Sequence, residues 1–224
     1  MQVIVVGSGK LARELLVAMD AGPGSRVVPW GSGDLQAVKS IAVHAGSGRE
    51  MEEVRRFCEA TQSALVELAT GSVLEGGPVA CPVILCPNTN ILMLKFMAML
   101  GRSGKLFRGY RIGLVESHQS GKTSVPGTAV SMAESLGLDA SEIRSVRDAQ
   151  VQQGALQIPT EHLARHAFHE VVIEDGACSI RMETRVYGDA PYADGVAQIV
   201  AAVRQQALEN RLYSILEFID NGWV

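Results

Sequence analysis

The stretch that most constrains this chain is its start. Residues 2 to 6, QVIVV, form a short β-branched apolar run, Gly7-Ser8-Gly9 follows at once, and residues 10 to 20, KLARELLVAMD, carry apolar side chains at helical spacing. That is a strand, a glycine turn and a helix. The pattern then repeats. Val27 to Trp30 predict a second strand and Ile41 to His44 a third, ending in AGSG; EMEEVRRFCEA predicts a helix, SALVELATGS a strand running into another glycine turn, and PVILCPN a short strand near residue 88. Strands alternating with helices over some ninety residues imply a parallel sheet with right-handed crossovers. Ligands of such sheets bind at the carboxyl ends of the strands, and here those ends are GSGK, AGSGR, ATGS and CPNTN, rich in accessible backbone N–H groups.

After residue 90 the pattern changes. ILMLKFMAML predicts an apolar helix, FRGYRIGLVES a strand, AVSMAESLGL a helix, and HEVVIEDGACSIRMETRVYG two long strands joined at Asp175-Gly176. DGVAQIVAAVRQQAL and YSILEFI read as terminal helices. The expected fold is α/β: a trimmed Rossmann-like parallel sheet at the N-terminus, then an α+β domain with a mostly antiparallel sheet. The expected division is 1–90 for a dinucleotide-binding domain and 91–207 for a substrate-binding and oligomerisation domain, with 208–224 packing back on the first.

Composition narrows the partners. A formal net charge of -4 with pI near 5.8 provides no basic excess for nucleic acid or an anionic membrane surface. No apolar run approaches the roughly 20 residues of a membrane span, and the start MQVIVVGSG shows no cationic leader, so the expected location is the cytoplasm. The four cysteines, Cys58, Cys81, Cys86 and Cys178, form no CxxC pair and read as free thiols.

Gly7-Ser8-Gly9-Lys10-Leu11-Ala12 fits G-x-G-x-x-A between a strand and a helix, which sets a pyrophosphate against the unpaired N–H groups and dipole of the helix start. Candidate cofactor-binding residues are Gly7, Gly9, Lys10 and Leu11, then Ala69, Thr70 and Gly71 in the second glycine turn, and Pro87 and Asn88 in the CPN turn. The acid that usually holds the adenine ribose at the second strand's end is missing: Pro29-Trp30-Gly31-Ser32 stands there, Asp34 is the nearest carboxylate, and no arginine follows to hold a 2′-phosphate. The coenzyme is therefore NADPH or NADH, with the choice open, and Trp30 reads as a packing residue.

VESHQSGKTSVPGTA, residues 115 to 129, places His118 and Lys122 four apart among small residues, just before a predicted helix. Such a segment can hold an anion and deliver a proton to it. Other candidates have plainer readings. His162, His166 and His169 would share a helix face as metal ligands, but the segment leads into a strand, so no metal site is expected. His44 reads as a packed residue close to the cofactor edge. Glu116 reads as a carboxylate paired with Arg111 or a helix start, and Arg55-Arg56 as a solvated helix face paired with Glu52 and Glu53. Met93, Met97 and Met99 suggest core or a subunit contact.

These stretches resemble the dihydrodipicolinate reductase family, also called 4-hydroxy-tetrahydrodipicolinate reductase, of bacterial and plant lysine synthesis. VVGSGKLA, ATGS, CPNTNILM in place of A-P-N-F-S, and VESHQSGKTSVPGTA in place of E-x-H-H-x-x-K-x-D-A-P-S-G-T-A carry the likeness, with RDAQVQQG, His169 and YADGV keeping a similar order later. The resemblance implies hydride transfer from a nicotinamide to a cyclic imine dicarboxylate by a homotetramer. It implies His118 as proton donor or its positioner, and Lys122 as charge or proton source at the substrate nitrogen. It implies Gln119, Gly127 and Thr128 as substrate-binding residues, the last two donating to a carboxylate.

The chain departs from the pattern in several places. Gln119 stands for the second histidine, one serine is missing between Pro126 and Gly127, Thr89 stands for the hinge aromatic, and Asp189 falls near where the family has an arginine. Two other readings follow: a reductase of another cyclic imine or imino acid, and a nucleotide-binding regulatory protein without turnover.

Overall fold

The computed structural model describes residues 1–123, 125–188 and 192–224. Two compact units emerge, one of Met1–Leu94 with Tyr192–Val224, the other of Lys95–Pro191.

The first unit is built on a six-stranded parallel sheet. β1 (Gln2–Val6) and β3 (Ser40–His44) are buried along their whole length, as their β-branched runs require of central strands covered on both faces. β2 (Arg26–Pro29), β4 (Ala64–Glu67) and β5 (Val83–Leu85) complete the expected strands. The sixth was not anticipated. YSILEFI reads as helical, yet β10 (Leu212–Ser214) pairs in parallel with β5, Leu212 opposite Val83, and only then does α7 (Ile215–Asp220) begin. Ser214 ends the strand and caps the helix, its side chain accepting from the Leu216 N–H. The strand order β10-β5-β4-β3-β1-β2 reverses direction at β1, which lies between β2 and β3.

α1 (Lys10–Ala18) and α2 (Met51–Thr61) provide the crossovers. Arg55 and Arg56 do form a charged helix face, through Glu52 and Glu59 in place of the expected Glu52 and Glu53. Trp30 packs edge-on against Phe57, ring centroids 5.6 Å apart, as a packing residue would.

α6 (Ala193–Gln205) lies in this first unit, although the expected boundary placed residues up to 207 in the second. Val196, Ile199 and Val200 form its buried stripe, and α6 packs on α1. Periodicity alone shows an amphipathic helix, and it says nothing of which sheet the stripe will cover.

α3 (Ile91–Ser103) runs from the first unit into the second, whose four-stranded sheet has the order β7-β6-β8-β9. β6 (Arg111–His118), β8 (Ala167–Glu174) and β9 (Ser179–Val186) are the expected antiparallel strands. β7 (Ile143–Val146), parallel to β6, and α5 (Ala149–Gly154) were not read from the sequence: each is too short to show a period. α4 (Gly127–Leu136) buries Ala129, Met132, Ala133 and Leu136.

All four cysteines are free thiols; Cys58, Cys81 and Cys86 are buried, and Cys178 is exposed. Among the described residues no helix is long and apolar enough to cross a membrane.

Candidate active site

In the first unit the strand ends gather glycine turns. Gly7 has φ +122°, and a Cβ there would lie 2.6 Å from the Ala45 carbonyl oxygen, so only glycine lets the turn after β1 nest against the turn after β3. Gly9, the N-cap of α1, has open space where a side chain would stand and no side-chain cap on its helix. Gly7, Ser8, Gly9, Ala45, Gly46 and Arg49 line a shallow cleft at this point. Unpaired N–H groups of a helix start at the switch point of a parallel sheet fit a pyrophosphate. Lys10 is exposed at that helix start and Leu11 is half-buried behind it.

The second glycine turn is braced from below by a pair the sequence reading did not find. His44, at the end of β3, donates from Nδ1 to Glu67 Oε1 at 2.8 Å, and both side chains are buried. Glu67 Oε1 also accepts from the Ala69 N–H at 2.8 Å, and Oε2 accepts from the Ser72 hydroxyl at 3.0 Å. The carboxylate thereby ties Ala69-Thr70-Gly71 to the neighbouring strand. Thr70 and Gly71 are exposed above it. Pro87 is exposed and Asn88 half-buried at the end of β5, where the Asn88 side chain accepts from the Asn90 N–H at 2.9 Å.

The second unit carries the candidate acid. Alternation along β6 puts Glu116 and His118 on one face, and register places His169 of β8 opposite Glu116, with Thr184 of β9 opposite His169. His118 Nδ1 lies 2.8 Å from Glu116 Oε2; a carboxylate can only accept, so Nδ1 carries the hydrogen and Nε2 is left for proton transfer. Glu116 was expected to pair with Arg111 or a helix start. Arg111 instead pairs with Glu174 at the exposed strand end, and Glu116 is gripped by Arg147: Nη2 to Oε1 at 2.6 Å and Nη1 to Oε2 at 3.1 Å. Burial pushes the Glu116 carboxyl up, but hydrogen bonds from His118, Arg147 and Ser145 outweigh it and hold the group at about 2.

Arg147 reaches further. Its Nε donates to the Lys122 carbonyl at 2.9 Å, so the guanidinium joins Glu116 to the loop that carries Lys122. Lys122 is half-buried and Gln119 exposed, with the Lys122 N–H donating to the Gln119 carbonyl at 3.0 Å. Gly127 and Thr128 open α4 behind Pro126, which supplies no side-chain cap. Ser124 and Asp189 lie outside the described residues.

On the other face of β6, the Gln152 amide of α5 donates to Ser117 Oγ at 3.0 Å and to the His118 carbonyl at 2.8 Å. Ser117 Oγ meets His166 Nε2 at 3.0 Å, and His166 Nδ1 meets the His162 carbonyl at 3.1 Å. His162, His166 and His169 thus serve different ends. His162 stacks on Tyr187, His166 braces Ser117, and His169 sits 5.7 Å from His118, ring to ring. Burial, then the nearby His118, pushes His169 down to about 4, and burial lowers His166 as well.

Arg147 and Gln152 appeared in the sequence only within RDAQVQQG. Their partners stand 31 and 35 residues away, and no local spacing marks them.

No family model matches the chain. The rice (Oryza sativa subsp. japonica) protein named probable 4-hydroxy-tetrahydrodipicolinate reductase 1, chloroplastic, is 31% identical over 126 residues, 52% of this chain and 37% of its own length. The Arabidopsis thaliana 4-hydroxy-tetrahydrodipicolinate reductase 2, chloroplastic, is 24% identical over 266 aligned positions, 96% of this chain and 76% of its own. The chain thus spans well under half of the rice relative's length and about three quarters of the Arabidopsis one. Among solved structures, dipicolinate-bound dihydrodipicolinate reductase from Paenisporosarcina sp. TG-14 shares the fold, with TM-score 0.67 at 14% identity over 95% of this chain and 97% of that one. In sequence and in fold, the chain resembles the 4-hydroxy-tetrahydrodipicolinate reductases, at the low identity of a divergent relative.

Proposed function

We propose that this protein is an NAD(P)H-dependent oxidoreductase that reduces a cyclic imine dicarboxylate, with 4-hydroxy-tetrahydrodipicolinate, converted to tetrahydrodipicolinate, as the first substrate to test. The observation that carries the reading is the Glu116–His118 pair at the end of β6, four residues before Lys122 and just ahead of the uncapped start of α4. Gly7, Gly9 and Lys10 would hold the pyrophosphate of NADH or NADPH, and the coenzyme would supply the hydride and be released oxidised.

Reduction of C=N breaks the π bond, forms C–H from the hydride, and needs a proton where negative charge develops on nitrogen. His118, with Nδ1–H committed to Glu116, delivers that proton from Nε2, and Lys122 stabilises the charge or supplies the proton in its place. The N–H groups at Gly127 and Thr128 hold a substrate carboxylate. Ala69, Thr70, Gly71, Pro87 and Asn88 complete the coenzyme edge. A homotetramer in the cytoplasm is the expected working form.

Gln119 and the serine missing before Gly127 favour a second reading, reduction of another cyclic imine or imino acid, because they alter the carboxylate cradle while leaving His118 and Lys122 in place. A purely regulatory nucleotide-binding role leaves the arrangement of buried Glu116 with half-buried His118 and Arg147 without a task.

The test is oxidation of NADH and of NADPH, followed by absorbance, with the product of pyruvate and aspartate semialdehyde condensation generated in the cuvette. Rapid oxidation with either coenzyme supports the first reading. No oxidation, with both coenzymes still binding in a parallel titration, moves the search to other imines.

A further inference from the structure

We propose that Arg147 is a positioning residue serving both candidate catalytic side chains at once: it balances the charge of the carboxylate that orients His118 and clamps the loop from which Lys122 extends. The proposal rests on the imine-reductase reading for its catalytic meaning, but its geometry stands alone.

Three of the guanidinium's donors are spent in this way. Two hold the two oxygens of Glu116, at 2.6 and 3.1 Å, and the third holds the Lys122 carbonyl at 2.9 Å; Nη1 also reaches the Val146 carbonyl at 2.9 Å. A planar fork can do this and an ammonium cannot. Glu116 has no exposed surface, so without Arg147 its charge would face His118 alone.

The groups around His118 are few enough to name. Glu116 lies on its own strand and Arg147 in the connection after β7; His169 faces it from β8, and His166 stands in the turn before β8. Lys122 follows in the next loop. His166 and His169 are held toward the neutral form, so Glu116 and Arg147 carry the fixed charges beside the His118 ring. Without the arginine, the buried carboxylate keeps His118 as its one charged partner and loses the two-point grip that fixes where its oxygens lie. The ring of His118 would then no longer be held in one orientation. Loss of the clamp on the Lys122 carbonyl would separately loosen residues 119 to 123.

Two substitutions in the full chain separate these effects, and neither measurement needs a substrate. In Arg147→Gln, NMR titration of the Glu116 carboxyl should show its midpoint displaced upward from about 2 by roughly one pH unit, because the hydrogen bonds and charge of the arginine that lower it are gone. In Arg147→Lys, which keeps the charge, that midpoint should stay within a few tenths of wild type, while amide hydrogen exchange rises in peptides covering 119–123 and stays unchanged in β8. Should Arg147→Gln not fold, the exchange map of Arg147→Lys decides. A Glu116 titration in Arg147→Gln that overlays the wild type, or exchange in Arg147→Lys that rises evenly through the unit, overturns the proposal and leaves Arg147 as a general brace. If the imine assay fails with every substrate, these results still stand; if it succeeds, Arg147→Lys should lower kcat about tenfold with little change in the coenzyme KM.

Discussion

The carbonyl oxygen of Thr89 occupies the place where a side chain on Gly195 would have to go: a Cβ there would lie 1.7 Å from it. α6 therefore comes down on the turn after β5 at a separation that glycine alone permits. Gly195→Ala should destabilise the protein by about 3 kcal/mol, since backbone must move to admit the methyl group. The urea unfolding midpoint reports this directly. A midpoint equal to wild type would mean that the helix slides aside without penalty.

Lys122→Ala should lower turnover by at least roughly a hundredfold while leaving dinucleotide affinity near wild type, because the lysine acts on the substrate nitrogen. Steady-state kinetics and a coenzyme fluorescence titration on one preparation measure both. An unchanged rate removes this lysine from the mechanism.

Glu67→Ala strips the acceptor from the His44 ring, the Ala69 N–H and the Ser72 hydroxyl together. Leaving buried donors unsatisfied should destabilise by roughly 3 kcal/mol, and the slackened Ala69–Ser72 turn should weaken dinucleotide binding about tenfold. Thermal denaturation and coenzyme titration check the two halves. Binding that survives at full strength would separate this turn from the coenzyme.

Acid should destabilise the protein in two steps. Folded His169 is pushed down to about 4 from 6.5, so as pH falls the unfolded chain takes this proton first. The stability linked to it is complete above pH 6.5 and is lost on the way down to pH 4, roughly 3 kcal/mol in all. Folded Glu116, at about 2 against 4.5, adds a contribution complete above pH 4.5 and lost toward pH 2. His169→Leu should flatten the first step and leave the second. Guanidinium unfolding across that range shows it, and parallel curves for variant and wild type would assign the first step to other groups.

Much of this architecture was legible before any coordinates. QVIVV against GSG, the helical spacing of KLARELL and the glycine turns at AGSG and ATGS are signals complete within a few residues, because strand and helix periods and positive-φ turns are local properties of the backbone. His118, Lys122 and the Gly127 helix start were likewise marked by spacing along one stretch. Leu212–Ser214 misled for the same reason: a three-residue strand in front of a helix shows no alternation of its own, and only its pairing with β5 makes it a strand.

Partner choice is another matter. The sequence by itself determined a strand ending near Glu116 and, just beyond it, His118 and Lys122 four residues apart. Only the tertiary structure decided that the carboxylate is answered by Arg147, 31 residues on, in preference to Arg111 on its own strand. It also decided that Glu67 is answered by His44 and that the stripe of α6 covers α1. The physical reason is common to all three. A charge or an apolar stripe states what it needs, while register and packing determine which of several adequate partners comes within about 3 Å of it.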